Sequence, residues 1–249
     1  RIGIVLLGNA RQPQVNGFIA GMTALGYVGK HRVHYLIRNA HNDRTRLRAM
    51  VSALVDARVD LLVAAGGLEA DSMRPIAAPR HIPVVLFVSS IVERGLVDSR
   101  RHPGWAVTGV DNLNAELSGK RVALLQDLLR GHRPPLHRIL ILYYTHIAPS
   151  RIGVEVAKAT ALRRKLVIDA QAVDSPTTIR QAMNALRPGE VDAMLTVPNA
   201  PIDDVMHSII LPRVKVLGLP LMTYARTFVK QGALASYGAS LYAMGHQAA

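Results

Sequence analysis

Short apolar runs alternate with longer segments of helical period along the whole 249-residue chain, and that alternation restricts the fold most. "IGIVLL" (2–7), "VHYLIR" (33–38), "DLLVAA" (60–65), "PVVLFV" (83–88) and "WAVTGV" (105–110) read as strands. Between them, residues 13–26 place Val15, Phe18, Ile19, Met22 and Leu25 at helical spacing, with Gly26 as a stop. Residues 43–59 do the same with Leu47, Met50, Val51, Leu54 and Val55, behind Asp43 as N-cap. "LEADSMRPIA" reads as a short helix stopped near Pro75. The second half repeats the plan. Helices are expected over 114–129, 150–163, 175–186 and 202–210, the third opened by Ser175 and Pro176. Strands are expected at "RILILYY" (138–144), "LVIDAQAV" (166–173), "VDAMLTV" (191–197) and "LPLMTY" (219–224), followed by "ALASYG" and a last helix from Ser240. Short strands rich in β-branched residues and Leu, alternating with helices, predict an α/β protein with parallel sheets covered on both faces. The plan fits two such units, joined near 111–114.

Composition narrows the function. With 49% apolar and 19% charged residues, the chain has the make-up of a packed protein, and no uncharged apolar run reaches the length of about 18 residues that spans a membrane. The absence of cysteine removes disulfides, thiolate metal sites and cysteine nucleophiles. A net charge of +13 raises the question of nucleic acid. The Lys and Arg residues are scattered over polar helix faces, however, and "RTRLR" (44–48) and "RRK" (163–165) are the densest runs. No zinc-finger spacing, basic zipper or aromatic RNA-binding motif accompanies them, so the expectation is solvated faces and no nucleic-acid partner. His31 and His34 flank a strand start, where their side chains diverge, and no metal is expected. "GNARQPQ" is not a dinucleotide loop, and no Walker A, G-x-S-x-G or H-E-x-x-H motif occurs. Asp203 and Asp204 open a helix, where acids suit the dipole. The expectation is no enzyme, no catalytic residue and no cofactor.

Ligands of open parallel sheets bind beyond the carboxyl ends of the strands. The first half offers Asn9, Arg11 and Gln14 after its first strand, Gly66 and Gly67 after its third, Ser89 and Ser90 after its fourth, and Asn112 after its fifth. The second half offers Thr145, His146 and Ser150, then Asn199, then Tyr224. These small and varied polar groups suit hydrogen bonding to a small molecule rather than one catalytic constellation. Gly66 and Gly67 also suit tight turns, and Ser150 reads as an N-cap.

The closing stretch "FVKQGALASYGASLYAMGHQAA" (228–249) resembles the end signature of ABC transporter substrate-binding proteins whose best-known members bind tryptophan, phenylalanine and similar amino acids. "GFIAGMTALGYVGKHRVHYLIRNAHND" (17–43), "DARVDLLVAAG", "IPVVLFVSSIVERGLVDS" and "GWAVTGVDNL" resemble further family segments in order, so the similarity covers essentially the whole chain. It implies a type I periplasmic binding protein fold, with two Rossmann-like lobes that hinge closed on a ligand and dock on an ABC permease. The lobes are expected at 1–113 with 237–249 and at 114–236, with crossings near Asn112 and Tyr237. A periplasmic, exported monomer is implied, its signal peptide lying outside these residues. A ligand-sensing domain on the same fold is the alternative. Three loops depart from the family. "YTHIAPS" keeps only Ser150 of Asn-Pro-Ser-Glu-x-Asn-Ser, "PNAP" replaces Pro-Thr-Asp-Asn, and "SSI" replaces Thr-Asp-Pro. The ligand is therefore expected to be an amino acid or an aromatic or aliphatic carboxylate, with Arg11 and Arg226 available to pair with an anion. Tyr144, Tyr224 and Tyr237 suit an apolar wall or hinge packing.

Overall fold

The computed structural model describes residues 1–29, 33–104, 106–131 and 134–249. His31, Trp105 at the start of the expected 105–110 strand, and part of the 131–138 loop lie outside the described residues. The chain divides into two compact units, Arg1–Asn112 with Ala239–Ala249, and Leu113–Gly238.

The first unit is built from β1 (Ile2–Leu6), α1 (Gln12–Ala24), β2 (Tyr35–Asn39), α2 (Leu47–Asp56), β3 (Leu61–Ala64), α3 (Gly67–Ala77), β4 (Val84–Val88) and β5 (Val107–Asp111). Its strands form one parallel sheet in the order β2-β1-β3-β4-β5. Side chains of a strand alternate between faces. Val5 joins the core under α2 and α3, whereas Ile4 and Leu6 join the core under α1. Both faces are covered, so β1 has no polar position.

The second unit repeats this with α4 (Ser118–Leu128), β6 (Arg138–Tyr143), α5 (Ala148–Arg163), β7 (Val167–Ala172), α6 (Pro176–Ala185), β8 (Ala193–Leu195), α7 (Ala200–Val205), α8 (Leu211–Val216), β9 (Leu221–Thr223), α9 (Arg226–Val229) and β10 (Ala235–Ser236). The parallel sheet runs β10-β9-β8-β6-β7. Leu140 and Leu142 face one core, Ile139 and Ile141 the other.

The last helix, α10 (Leu241–Gln247), belongs to the first unit and packs on α1. Its entry is set by Ser240, whose hydroxyl accepts from Ala243 N at 3.3 Å. The two helices lie so close that a Cβ on Gly17 would overlap the carbonyl of Tyr242, and one on Gly245 would overlap the carbonyl of Gln14. The small residues of the closing stretch thus permit backbone-to-backbone packing. No helix among the described residues is long and apolar enough to cross a membrane.

Three expected helix limits need correction. Pro75 does not stop its helix: α3 runs to Ala77 and a 3-10 turn continues to Arg80. Ile76 and Ala77 are buried there, and their packing carries the helix past the lost donor. The segment expected to end at Ile210 instead passes through a π turn, Met206–Ile210, into α8. Pro212 falls in the first turn of α8, where no N–H is required. The helix expected from 114 begins at Ser118.

Candidate functional site

Each sheet reverses its strand order once, and at such a switch point the connections leave in opposite directions and open a crevice. In the first unit the switch lies between β1 and β3. Their ends carry Asn9, Arg11 and Gln14 on one side and Gly66 and Gly67 on the other. In the second unit it lies between β6 and β8. Their ends carry Thr145, His146 and Ser150, and Asn199.

At the first switch point, Asn9 Oδ1 accepts from Asn39 Nδ2 at 2.8 Å, which fixes the amide against β2. Gln14 is fully buried and donates to Phe87 O at 3.5 Å, while its Oε1 has no hydrogen-bond partner among the described residues. Gly66 caps α3 with extended backbone. Two guanidinium groups flank this turn: a Cβ on Gly66 would lie 3.3 Å from Arg11 Nε, and one on Gly67 would lie 2.6 Å from Arg94 Nη2. Arg94 is anchored to Asp71 at 2.5 Å, and its Nε is buried without a hydrogen-bond partner. Burial dominates at Asp71 and raises its carboxyl despite that arginine. Glu69 is buried in the first turn of α3, where its charge suits the helix dipole, and accepts from Leu7 N at 2.8 Å. Asp71 thus pairs with Arg94 and Glu69 accepts through Oε1, with Oε2 turned toward Gly66, whereas no hydrogen bond from the Arg11 side chain is formed among the described residues.

Beside this, Ser89 Oγ donates to Asn112 Oδ1. Ser90 adopts a left-handed backbone (φ 55°) and donates its N–H to Asp111 Oδ1 at 3.1 Å. Its buried hydroxyl has no hydrogen-bond partner. Arg100 pairs with Asp111 at 3.2 Å.

At the second switch point the expected N-cap role of Ser150 is corrected. Ile147 occupies the cap of α5, and Ser150 is fully buried inside the first turn. Its Oγ accepts from Tyr144 N at 3.2 Å and from Asn199 Nδ2 at 2.9 Å, so it ties β6 to the end of β8. Asn199 Oδ1 is buried and has no hydrogen-bond partner. Thr145 and His146 are exposed, and the His146 ring meets Tyr144 edge-on at 5.5 Å. Tyr224 donates its hydroxyl to Asp203 Oδ2. Arg226 is exposed at the start of α9.

Two groups escaped the sequence reading. Arg94 lies within "IPVVLFVSSIVERGLVDS", where nothing in its local pattern marks it as a site residue. Arg121 was counted among the solvated basic faces; it is fully buried, 5.7 Å from the centre of the Tyr224 ring. It shares the buried face of α4 with Ser118, Val122 and Leu125. That helical spacing was the available signal, hidden because an arginine is read as polar wherever it falls. Among the described residues no group of three His, Cys, Asp or Glu side chains could hold a metal.

Two parallel sheets of this order, each with polar groups at its switch point, define a type I periplasmic binding protein architecture. Residues 2–249 match the family of ABC transporter substrate binding proteins, and the chain belongs to that family. It is the solute-binding component of an ABC transporter, a class that holds a small ligand by hinge motion of two lobes and performs no catalysis. Among solved structures, a conserved domain protein from Vibrio cholerae is similar at 20% identity and a TM-score of 0.85, over 99% of this chain and 81% of that one. A Streptococcus pneumoniae ABC domain in complex with L-Trp is similar at 22% identity and a TM-score of 0.84, with the same coverage. A Desulfitobacterium hafniense ABC transporter substrate-binding protein in complex with Leu follows at 13% identity and 0.60, over 99% and 80%. At these identities the likeness is one of fold. No curated protein sequence matches the chain.

Proposed function

We propose that this protein takes up a small organic carboxylate, an amino acid or another acid, by closing its two units on it, and presents it to a membrane permease. The observation that carries the carboxylate is Arg11. A guanidinium whose side chain forms no hydrogen bond among the described residues stands at a switch point, beside the N-terminus of α3, the Glu69 carboxylate and a second arginine, while Glu69 Oε1 and Asp71 already accept from protein donors. A bidentate carboxylate matches the planar fork of arginine. The buried acceptors Gln14 Oε1 and Asn199 Oδ1 and the Ser90 hydroxyl supply further hydrogen-bonding capacity for a polar ligand. Two similar structures hold ligands, L-Trp and Leu, that carry a carboxylate. Asn9, Ser89, Asn112, Thr145, His146 and Tyr224 complete the proposed contacts. Family membership favours work outside the cytoplasm, in the periplasm, as a monomer.

A thermal-shift panel of L-tryptophan, L-leucine, benzoate and the uncharged myo-inositol tests this. A ligand at 100 times its Kd stabilises the fold by about 2.7 kcal/mol. A rise in Tm with a carboxylate, clearly reduced in Arg11→Gln, is the expected result. A rise with myo-inositol alone, or one that Arg11→Gln leaves intact, rejects the proposal.

A further inference from the structure

Arg121 presents a problem that ligand binding alone does not solve. Among the described residues it is the largest fully buried side chain, and its hydrogen-bond partners there are all neutral. Nε donates to Tyr237 O at 2.7 Å, Nη1 to Ser118 Oγ at 3.0 Å, and Nη2 to Asn114 O at 2.8 Å and Asn114 Oδ1 at 3.2 Å. Burial pulls its pKa down to about 10, so keeping the cation here is costly. An aliphatic side chain of similar volume fills such a space without that cost. What it cannot do is bind several oxygens in one plane.

The position of those oxygens is the key. The chain enters the second unit at Leu113 and leaves it at Gly238. Asn114 and Tyr237 are the adjoining residues, so one guanidinium holds the carbonyls of both joining segments, remote as they are in sequence. The segments also touch: a Cβ on Gly238 would lie 2.9 Å from Asn114 Oδ1 and would overlap the carbonyl of Tyr224. Tyr224 stacks near the guanidinium from β9's end. All of these groups belong to the second unit, so the clasp forms one rigid base from which both segments depart.

We propose that Arg121 is the positioning residue of the hinge, holding the two joining segments as a pair so that they bend together. This rests on the reading that the units close on a ligand. A protein whose joining segments move independently samples more arrangements, and the fraction competent to bind falls with it.

The lack of cysteine makes a clean test available. Spin labels at Ala49→Cys and Ala159→Cys, on exposed positions of α2 and α5, report the distance between units by dipolar spectroscopy. Labels at Ala159→Cys and Gln181→Cys report a distance inside the second unit. Each pair is measured in the full chain without ligand, in the parent, in Arg121→Gln and in Arg121→Lys, with far-UV circular dichroism alongside. The expected result is a broader inter-unit distribution in both variants with the intra-unit distribution unchanged. An inter-unit distribution as narrow as the parent's overturns the proposal. So does equal broadening of both pairs, or loss of the helical signal in both variants, which makes Arg121 a core residue and nothing more. No ligand enters these measurements, so they stand whether or not carboxylate binding holds. Closure is tested separately, by adding to the labelled parent whichever carboxylate raises its Tm: an unshifted inter-unit distance rejects closure alone.

Discussion

Arg11 and Ser150 show how differently two polar residues at strand ends can be employed. Among the described residues the Arg11 side chain makes no hydrogen bond, so Arg11→Gln is expected to leave Tm nearly unchanged. A charge-assisted hydrogen bond contributes about 1.5–3 kcal/mol, so the same variant should weaken carboxylate binding roughly 10- to 100-fold in calorimetry. Ser150→Ala is expected to do the reverse to stability. It removes the acceptor of Tyr144 N and Asn199 Nδ2, at a cost of about 1–3 kcal/mol, readable as a lower denaturation midpoint. Asp174 carries a pH prediction. Hydrogen bonds from Ser175 and Thr178 hold its carboxyl below the ordinary aspartate value of 3.8, with His146 contributing least. A carboxyl held low when folded adds stability above its unfolded pKa and loses it as pH falls through the folded one. Asp174→Asn should therefore lower stability at neutral pH, leave it unchanged at the most acid pH, and so flatten the acid limb below about pH 4, as stability measured from pH 2 to 7 would reveal. Strand-end positions such as Asn9 and Ser90 were legible because glycine and small polar residues follow apolar runs. Arg121 was not, because burial of an arginine depends on which backbone carbonyls the fold brings within its reach.

Among the elements, α10 and α6 carry the clearest consequences. The approach of α10 to α1 depends on Gly17 and Gly245, where any side chain meets backbone. Gly245→Val should prise the short helix away, costing about 1–3 kcal/mol by overpacking. Hydrogen exchange of α1 amides is the check: faster exchange confined to α1 and α10 is expected, and uniform change across the first unit would contradict it. At α6 the expected Ser175–Pro176 start is present as a capping box with Thr178. Strand and helix order was legible because the inner strands β1, β3, β4, β6 and β8 are buried on both faces, which leaves them as apolar runs with almost no polar break. Helix ends at Pro75 and Ile210 were not. Local propensity disfavours continuation there, and only the packing of Ile76 and Ala77, or the π turn before Pro212, outweighs it.

For the whole molecule, the net charge of +13 acts at long range on anything charged. Its field reaches about 30 Å at 0.01 M salt but about 8 Å at 0.15 M. Stopped-flow association of an anionic ligand should slow as salt is raised across that range, while a neutral solute that binds would show no change. The sequence by itself determined the α/β class, the alternation that places polar loops at strand ends, and the family, because these follow from local periodicity and ordered motifs. Only the tertiary structure decided that Gly66, Gly67 and Arg11 share one switch point, that Ser150 bridges β6 to Asn199, and that Arg121 joins Asn114 to Tyr237. Each of those contacts links residues far apart in the chain, so it exists only once sheet order and packing have brought their backbones together.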